Sequence, residues 1–156
     1  MVRPGDLTNS VYYVEKGCLR SYLVDSNGKE HIFQFAPEDW VISDEEALSD
    51  RKPALFFIDA IEDSIVRIAN QPDHILSDID RETALEVLES LRRKVNAFRR
   101  RIIELLCAPA DKRYSSFLQS YPDLAQRVPQ KMIASYLGIT PESLSRVRKD
   151  LLTKKQ

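Results

Sequence analysis

Cysteine and histidine are nearly missing from this chain of 156 residues, which has two of each. Cys18 and Cys107 form no paired motif, so neither a disulfide framework nor a zinc or four-cysteine cluster site is indicated, and both read as buried thiols. His31 and His74 stand alone, which removes the clustered histidines that a metal oxygenase needs, and no metal site is expected. No apolar run is long enough to span a bilayer, and Met1–Ser10 carries no secretory leader, so the expected compartment is the cytoplasm. No nucleophile–base pair, phosphate loop or metal triad stands out, and no enzymatic activity is expected.

Net charge is −1, but that average hides a division. Residues 1–75 hold 7 Lys/Arg against 14 Asp/Glu, residues 76–107 hold 7 against 6, and residues 108–156 hold 9 against 4. An acidic front and a basic back suit a protein that approaches phosphates with its C-terminal end alone.

The basic end contains the most informative stretch, Pro129 to Leu151. Ile133 and Leu137 lie one helical turn apart, and Leu144, Val147 and Leu151 step by three and four, so two short helices each have one apolar face. Ala134 permits a close crossing, Gly138 supplies positive φ where the first helix ends, and Ile139 plugs the corner. Thr140 is a good N-cap and Pro141 suits the first helical position. Glu142, Arg146 and Lys149 fall opposite the apolar stripe, with Ser143 and Ser145 flanking. That is the arrangement of a helix-turn-helix presenting its second helix to the major groove. The bland alternative is a helical hairpin whose charged face is merely solvated.

Upstream, Val11–Val14, Cys18–Asp25 and Glu30–Phe35 read as strands, broken at Gly17 and at the hairpin marker Asn27-Gly28. Ser43–Ser49 reads as a short helix with Asp44, Glu45 and Glu46 at its positive end. Strands resume at Leu55–Ile61 and Ser64–Ala69. Five or six short strands around one helix suggest a sandwich or a jelly-roll barrel, with few strands to close it. Leu88, Leu91, Val95, Phe98, Ile102 and Leu105 then alternate steps of three and four, the seam of a coiled coil, which predicts a homodimer. Arg92, Lys94, Arg99 and Arg101 flank that seam, where a parallel dimer sets like charges near each other unless they pair with the acidic strand domain. A helix lying on its own strand domain is the competing reading. Pro109 ends the long helix, and Asp111–Ser120 starts another.

Acidic strand domain, long helix and C-terminal helix-turn-helix together resemble the bacterial Crp/Fnr transcription factors, relatives of the cyclic-AMP receptor protein. The resemblance is clearest at Val11-Tyr12-Tyr13-Val14-Glu15-Lys16-Gly17 with Leu19-Arg20, at Ala60-Ile61-Glu62-Asp63-Ser64, and in the reader Ser135–Leu151. It implies an α+β fold: a partial jelly roll of the cyclic-nucleotide-binding kind over 1–75, a dimerisation helix over 76–107 and a winged-helix or helix-turn-helix DNA-binding domain over 108–156. It also implies a homodimer with recognition helices about one DNA turn apart, their separation set by a ligand in the strand domain. The family carries several tens of residues before the segment resembling Arg3-Pro4-Gly5-Asp6. The barrel is therefore expected to be incomplete, its strand edges left for another segment or chain to cover.

Cyclic-nucleotide-binding members of the family open the short helix with Gly-Glu and hold the cyclic phosphate with an Arg followed by Ser or Thr. The matching places here fall near Ile42-Ser43 and at Ala54-Leu55, without a fixed guanidinium to meet a phosphate through two bonds. Ser43, Glu45, Arg51, Lys52 and Ala54 outline a degenerate effector position; cyclic nucleotide is not expected there, and any effector is an unknown small molecule. The cysteine set of the family's iron–sulfur branch is absent, and no cofactor is expected.

The expected function is a sequence-specific transcription regulator with double-stranded DNA as its partner. Glu142, Ser143 and Arg146 are the expected base contacts, because Arg can grip guanine through two acceptors and Glu can accept from cytosine. Lys131, Thr140, Arg148 and Lys149 are the expected backbone contacts. The alternative is a small-molecule or protein-interaction module whose helical tail docks a partner without specific DNA binding.

Overall fold

Alternation along β1 (Ser10–Lys16) buries Tyr12 and Val14, leaves Val11 and Tyr13 half-buried and exposes Glu15, the period-2 pattern of a strand with one face in a core. The computed structural model describes residues 1–70 and 80–153, and the chain divides into two units, Met1–Asp78 and Ile79–Gln156.

The first unit holds β1, β2 (Leu19–Val24), β3 (Glu30–Ala36), β4 (Val41–Ile42), a short helix α1 (Glu45–Asp50), β5 (Phe57–Ala60) and β6 (Ile65–Asn70). They form two antiparallel three-stranded sheets, ordered β4-β1-β6 and β3-β2-β5. Tyr12, Val14, Leu19, Ala36, Ile42, Ala47, Ala54 and Ile58 make the shared core, with Val2 bridging to Ile58 beside it. This is the α+β, partial jelly-roll arrangement expected from the strand spacing. Two details differ. Strand β4 has only two residues, too few to leave a periodic signal, and exists because Ile42 pairs with Tyr12. Strand β5 begins at Phe57 rather than Leu55, because the N–H groups of Leu55 and Phe56 are spent on the Asp44 carboxylate.

The β2–β3 turn forms where Asn27-Gly28 marks it, with Gly28 at φ 77°. Asp25 organises it: its carboxylate accepts from the His31 ring at 2.8 Å and from the backbone N–H groups of Lys29 and Asn27 at 3.0 and 2.9 Å. The His31 contact, then the Lys29 N–H, draws the Asp25 pKa from 3.8 down to about 2. A folded pKa below the unfolded one contributes stability that is present above about pH 4 and fades as pH falls toward 2. Asp25→Asn should therefore flatten the fall of the urea midpoint over this acid range. Equal acid dependence of variant and wild type would rule the linkage out.

The second unit begins with the long helix α2 (Arg81–Cys107), followed by α3 (Ala110–Ser120), α4 (Leu124–Arg127), α5 (Gln130–Tyr136) and α6 (Pro141–Thr153). Pro109 sits in extended backbone between α2 and α3, which ends α2 where the sequence predicts. Helix α4 was not legible, since four residues carry no periodicity, yet its Leu124 is almost fully buried. Cys18 is buried as expected, whereas Cys107 is exposed, because it falls on the last turn of α2. Among the described residues no helix is long and apolar enough to cross a membrane.

Candidate nucleic-acid interface

Two local signals set the corner between α5 and α6. Gly138 adopts φ 65°, the Ile139 N–H donates to the Ala134 carbonyl at 3.0 Å, and the Gly138 N–H donates to that of Ser135 at 3.0 Å. This pair of bonds is a Schellman motif, which needs a residue that tolerates the left-handed region. Thr140 then caps α6: its Oγ1 accepts from the Ser143 N–H at 3.2 Å, while its carbonyl takes the Leu144 N–H at 3.0 Å.

Beneath the corner lies an aromatic cluster that sequence reading missed. Phe117 sits 5.4 Å from Tyr121 and 5.7 Å from Tyr136, ring centre to ring centre, with Tyr114 stacked 6.4 Å away. Tyr114, Phe117 and Tyr121 follow steps of three and four along α3 and its cap, a signal that could have placed them in the core. With Leu124, Val128, Ile133, Ala134 and Leu137 they form the buried side of the α3–α6 helices.

Along α6, Leu144 is fully buried and Val147 and Leu151 are half-buried, while Glu142, Ser145, Arg146 and Lys149 are exposed. At about 100° per residue Arg146 lies about 160° from Leu144, so its guanidinium points away from the core. Ser143 is half-buried on one flank. Arg148 stands apart from the expected cationic set. It lies only about 40° from Leu144, is half-buried, and lines a cavity of about 370 Å³ with Tyr114, Leu118, Leu151 and Leu152. Lys131 is exposed on the second residue of α5.

Glu142 is ionised more readily than an ordinary glutamate, because its own backbone N–H and the Thr140 hydroxyl hold the carboxylate. The Thr140 side chain is thus committed to the helix start as well as standing at the surface.

The expected dimer seam is open. Leu88 is 62 % exposed, Leu91 49 %, Val95 54 %, Ile102 57 % and Leu105 38 %, with Phe98 half-buried. Two of the flanking cations have partners within the second unit. Arg92 pairs with Glu89 on its own helix, and Arg101 donates to the Tyr136 carbonyl. Both partners lie close along or beside α2, and a short contact is cheaper to order than a distant one.

The five residues of the expected effector position lie on α1 or on the chain just before and after it. Ala54 is core, Lys52 pairs with Asp50 at 2.6 Å, Ser43 donates to Glu45, and exposed Arg51 ends α1 at φ 52°. Between them lies Asp44, buried to 2 % exposure, accepting from the N–H groups of Leu55 at 2.7 Å, Phe56 at 3.0 Å and Ala47 at 3.3 Å. A carboxylate of the chain itself therefore fills this cluster of backbone donors.

No family model matches the chain. A curated relative, the anaerobic regulatory protein of Haemophilus influenzae, is 26 % identical over 163 residues, and the match covers 94 % of this chain and 61 % of the relative. FixK2 of Bradyrhizobium japonicum superposes with a TM-score of 0.79 at 23 % identity, over 99 % of this chain and 78 % of that one. CooA of Carboxydothermus hydrogenoformans gives 0.75 at 21 %, covering 99 % and 72 %. A CRP/FNR-family transcriptional regulator of Thermus thermophilus gives 0.71 at 18 %, covering 99 % and 81 %. The fold is that of the Crp/Fnr regulators, as the sequence resemblance implied, and the chain spans about three-fifths of the curated relative's length.

Proposed function

We propose that this chain, built on the Crp/Fnr fold, is a DNA-binding transcription regulator that acts as a homodimer and performs no enzymatic chemistry. One observation carries the reading: Arg146, Glu142 and Lys149 are exposed opposite the fully buried Leu144, on a helix whose start is capped by Thr140. Such a helix can enter a major groove without losing its packing. Arg146 takes two acceptors of a guanine, with Glu142 and Ser143 reading beside it. Lys149, Lys131 and Thr140 hold phosphates, and Arg148 reaches the backbone from the α3 side.

Dimerisation is supported by the exposed apolar seam of α2, where covering each side chain is worth on the order of 2 kcal/mol. The Glu89 partner of Arg92 lessens the like-charge cost. In this proposal residues 1–75 form the sensor-like domain, 76–107 the dimer helix and 108–156 the reader. In this proposal the effector position is degenerate and cyclic nucleotide is not its ligand, a reading supported by the Asp44 carboxylate, which already accepts from the Leu55 and Phe56 N–H groups.

Selection of bound sites from random double-stranded DNA tests the proposal. The expected outcome is a palindrome with half-sites about 10 base pairs apart and an affinity that falls steeply with salt. No enriched sequence, together with salt-independent binding, would favour a docking module instead.

A further inference from the structure

Two guanidinium groups from two different helices meet at the reader's corner. Arg101, near the end of α2, donates from Nη2 to the Tyr136 carbonyl at 3.0 Å and lies over the Tyr136 ring at 4.1 Å. Arg113, on α3, donates from Nη1 to the Leu137 carbonyl at 2.6 Å. Those two carbonyls are among the last of α5, where helix acceptors lack internal partners and the backbone dipole favours a cation. Leu105, one turn beyond Arg101, packs on the same spot: a Cβ built on Gly138 would stand 3.1 Å from its Cδ2. Leu105 therefore serves its own subunit's corner as well as belonging to the expected seam.

We infer that Arg101 and Arg113 are positioning residues for DNA reading, which hold the α5–α6 corner against the end of α2 and so fix where the recognition helix stands. The chemistry favours this over a role in stability alone. Arg113 Nε is buried without a hydrogen-bond partner among the described residues, a cost that an apolar residue of similar length would avoid. Burial also lowers the Arg101 pKa, with Tyr136 acting against it. A guanidinium kept at such a cost specifies an orientation, because its planar donors can donate to a carbonyl oxygen only from a narrow set of directions. Gly138 and Ile139 follow directly, and α6 starts at Pro141, so a shift of this corner is passed to Arg146 within about two turns of chain.

The inference rests on the DNA-reading proposal for its consequence, but its structural half is measurable without DNA. Arg101→Met and Arg113→Met, made in the full chain, keep the apolar stem and delete the donors. In variants that remain folded by circular dichroism, amide exchange over residues 134–142 should quicken by about fivefold or more. Affinity for the selected site should fall by about tenfold, while affinity for random DNA changes less than about threefold. Arg101→Lys, which keeps a donor but loses the planar fork that lies over the Tyr136 ring, should recover less than half of either loss. Wild-type exchange rates at the corner in folded Met variants would overturn the inference. So would equal losses on selected and random DNA. If wild-type protein binds no DNA, the functional proposal fails, and corner exchange alone still decides the clamp. If the Met variants do not fold, Arg101→Gln carries the test with the same two readouts, and unchanged values there would overturn the clamp.

Discussion

Arg146→Ala is expected to weaken binding to the selected site by about 1–3 kcal/mol, roughly five- to 150-fold, and to relax preference at one base pair. Its exposed side chain stands about 160° around the helix from Leu144, so truncation removes base-edge donors and leaves the core intact. Lys149→Ala should behave differently: affinity falls alike on selected and random DNA, and the salt slope drops by about one. Glu142→Ala is expected to lose less than Arg146→Ala, since the Glu142 carboxylate is stabilised by its own backbone N–H and by Thr140. Quantitative binding at several salt concentrations on both DNAs separates these roles. If Arg146→Ala lost the same factor on random DNA as on the selected site, Arg146 would be a phosphate contact and the reading face would lie elsewhere.

The largest effect on stability is expected from Gly17→Ala, at about 2–4 kcal/mol for the strand unit. Gly17 has φ 90°, where a side chain costs on the order of 1 kcal/mol or more. A Cβ there would stand 2.3 Å from Ser64 Oγ, 2.7 Å from the Asp63 carbonyl oxygen and 2.8 Å from Ser64 Cα. Two of those three atoms are backbone, so the loop itself must move, and overpacking of this kind adds about 1–3 kcal/mol. The corner is further tied by the Gly17 N–H to Glu38 at 2.9 Å and the Cys18 N–H to Ser64 at 3.2 Å, bonds that such a movement strains. Gly28→Ala is the control. It shares positive φ, at 77°, but nothing lies within 4 Å of its Cβ, so it should cost only about 1 kcal/mol. Thermal melts of both variants check the contrast. Matching losses would mean that the Ser64 loop yields freely and that φ alone matters.

Gly17 also marks where sequence reading stops. The strand-glycine-strand run around it and the Ala60–Ser64 stretch are two separate parts of one family resemblance. Only the fold reveals that they touch, across 46 positions of sequence. The same holds for Asp44. Its place at the positive end of a short helix was legible, but its bonds to Leu55 and Phe56, 11 and 12 residues on, were not.

By itself the sequence determined the reader's turn, the cap of its last helix and the apolar stripes of the long helices, because each arises between residues no more than a few positions apart. Tertiary structure alone decided the Asp44 carboxylate's partners, the lodging of Arg148 beside α3 and the meeting of Arg101 and Arg113 at one corner. A charged side chain leaves no periodic trace of its partner, and where it is neutralised depends on which distant backbone groups the packed core brings within reach.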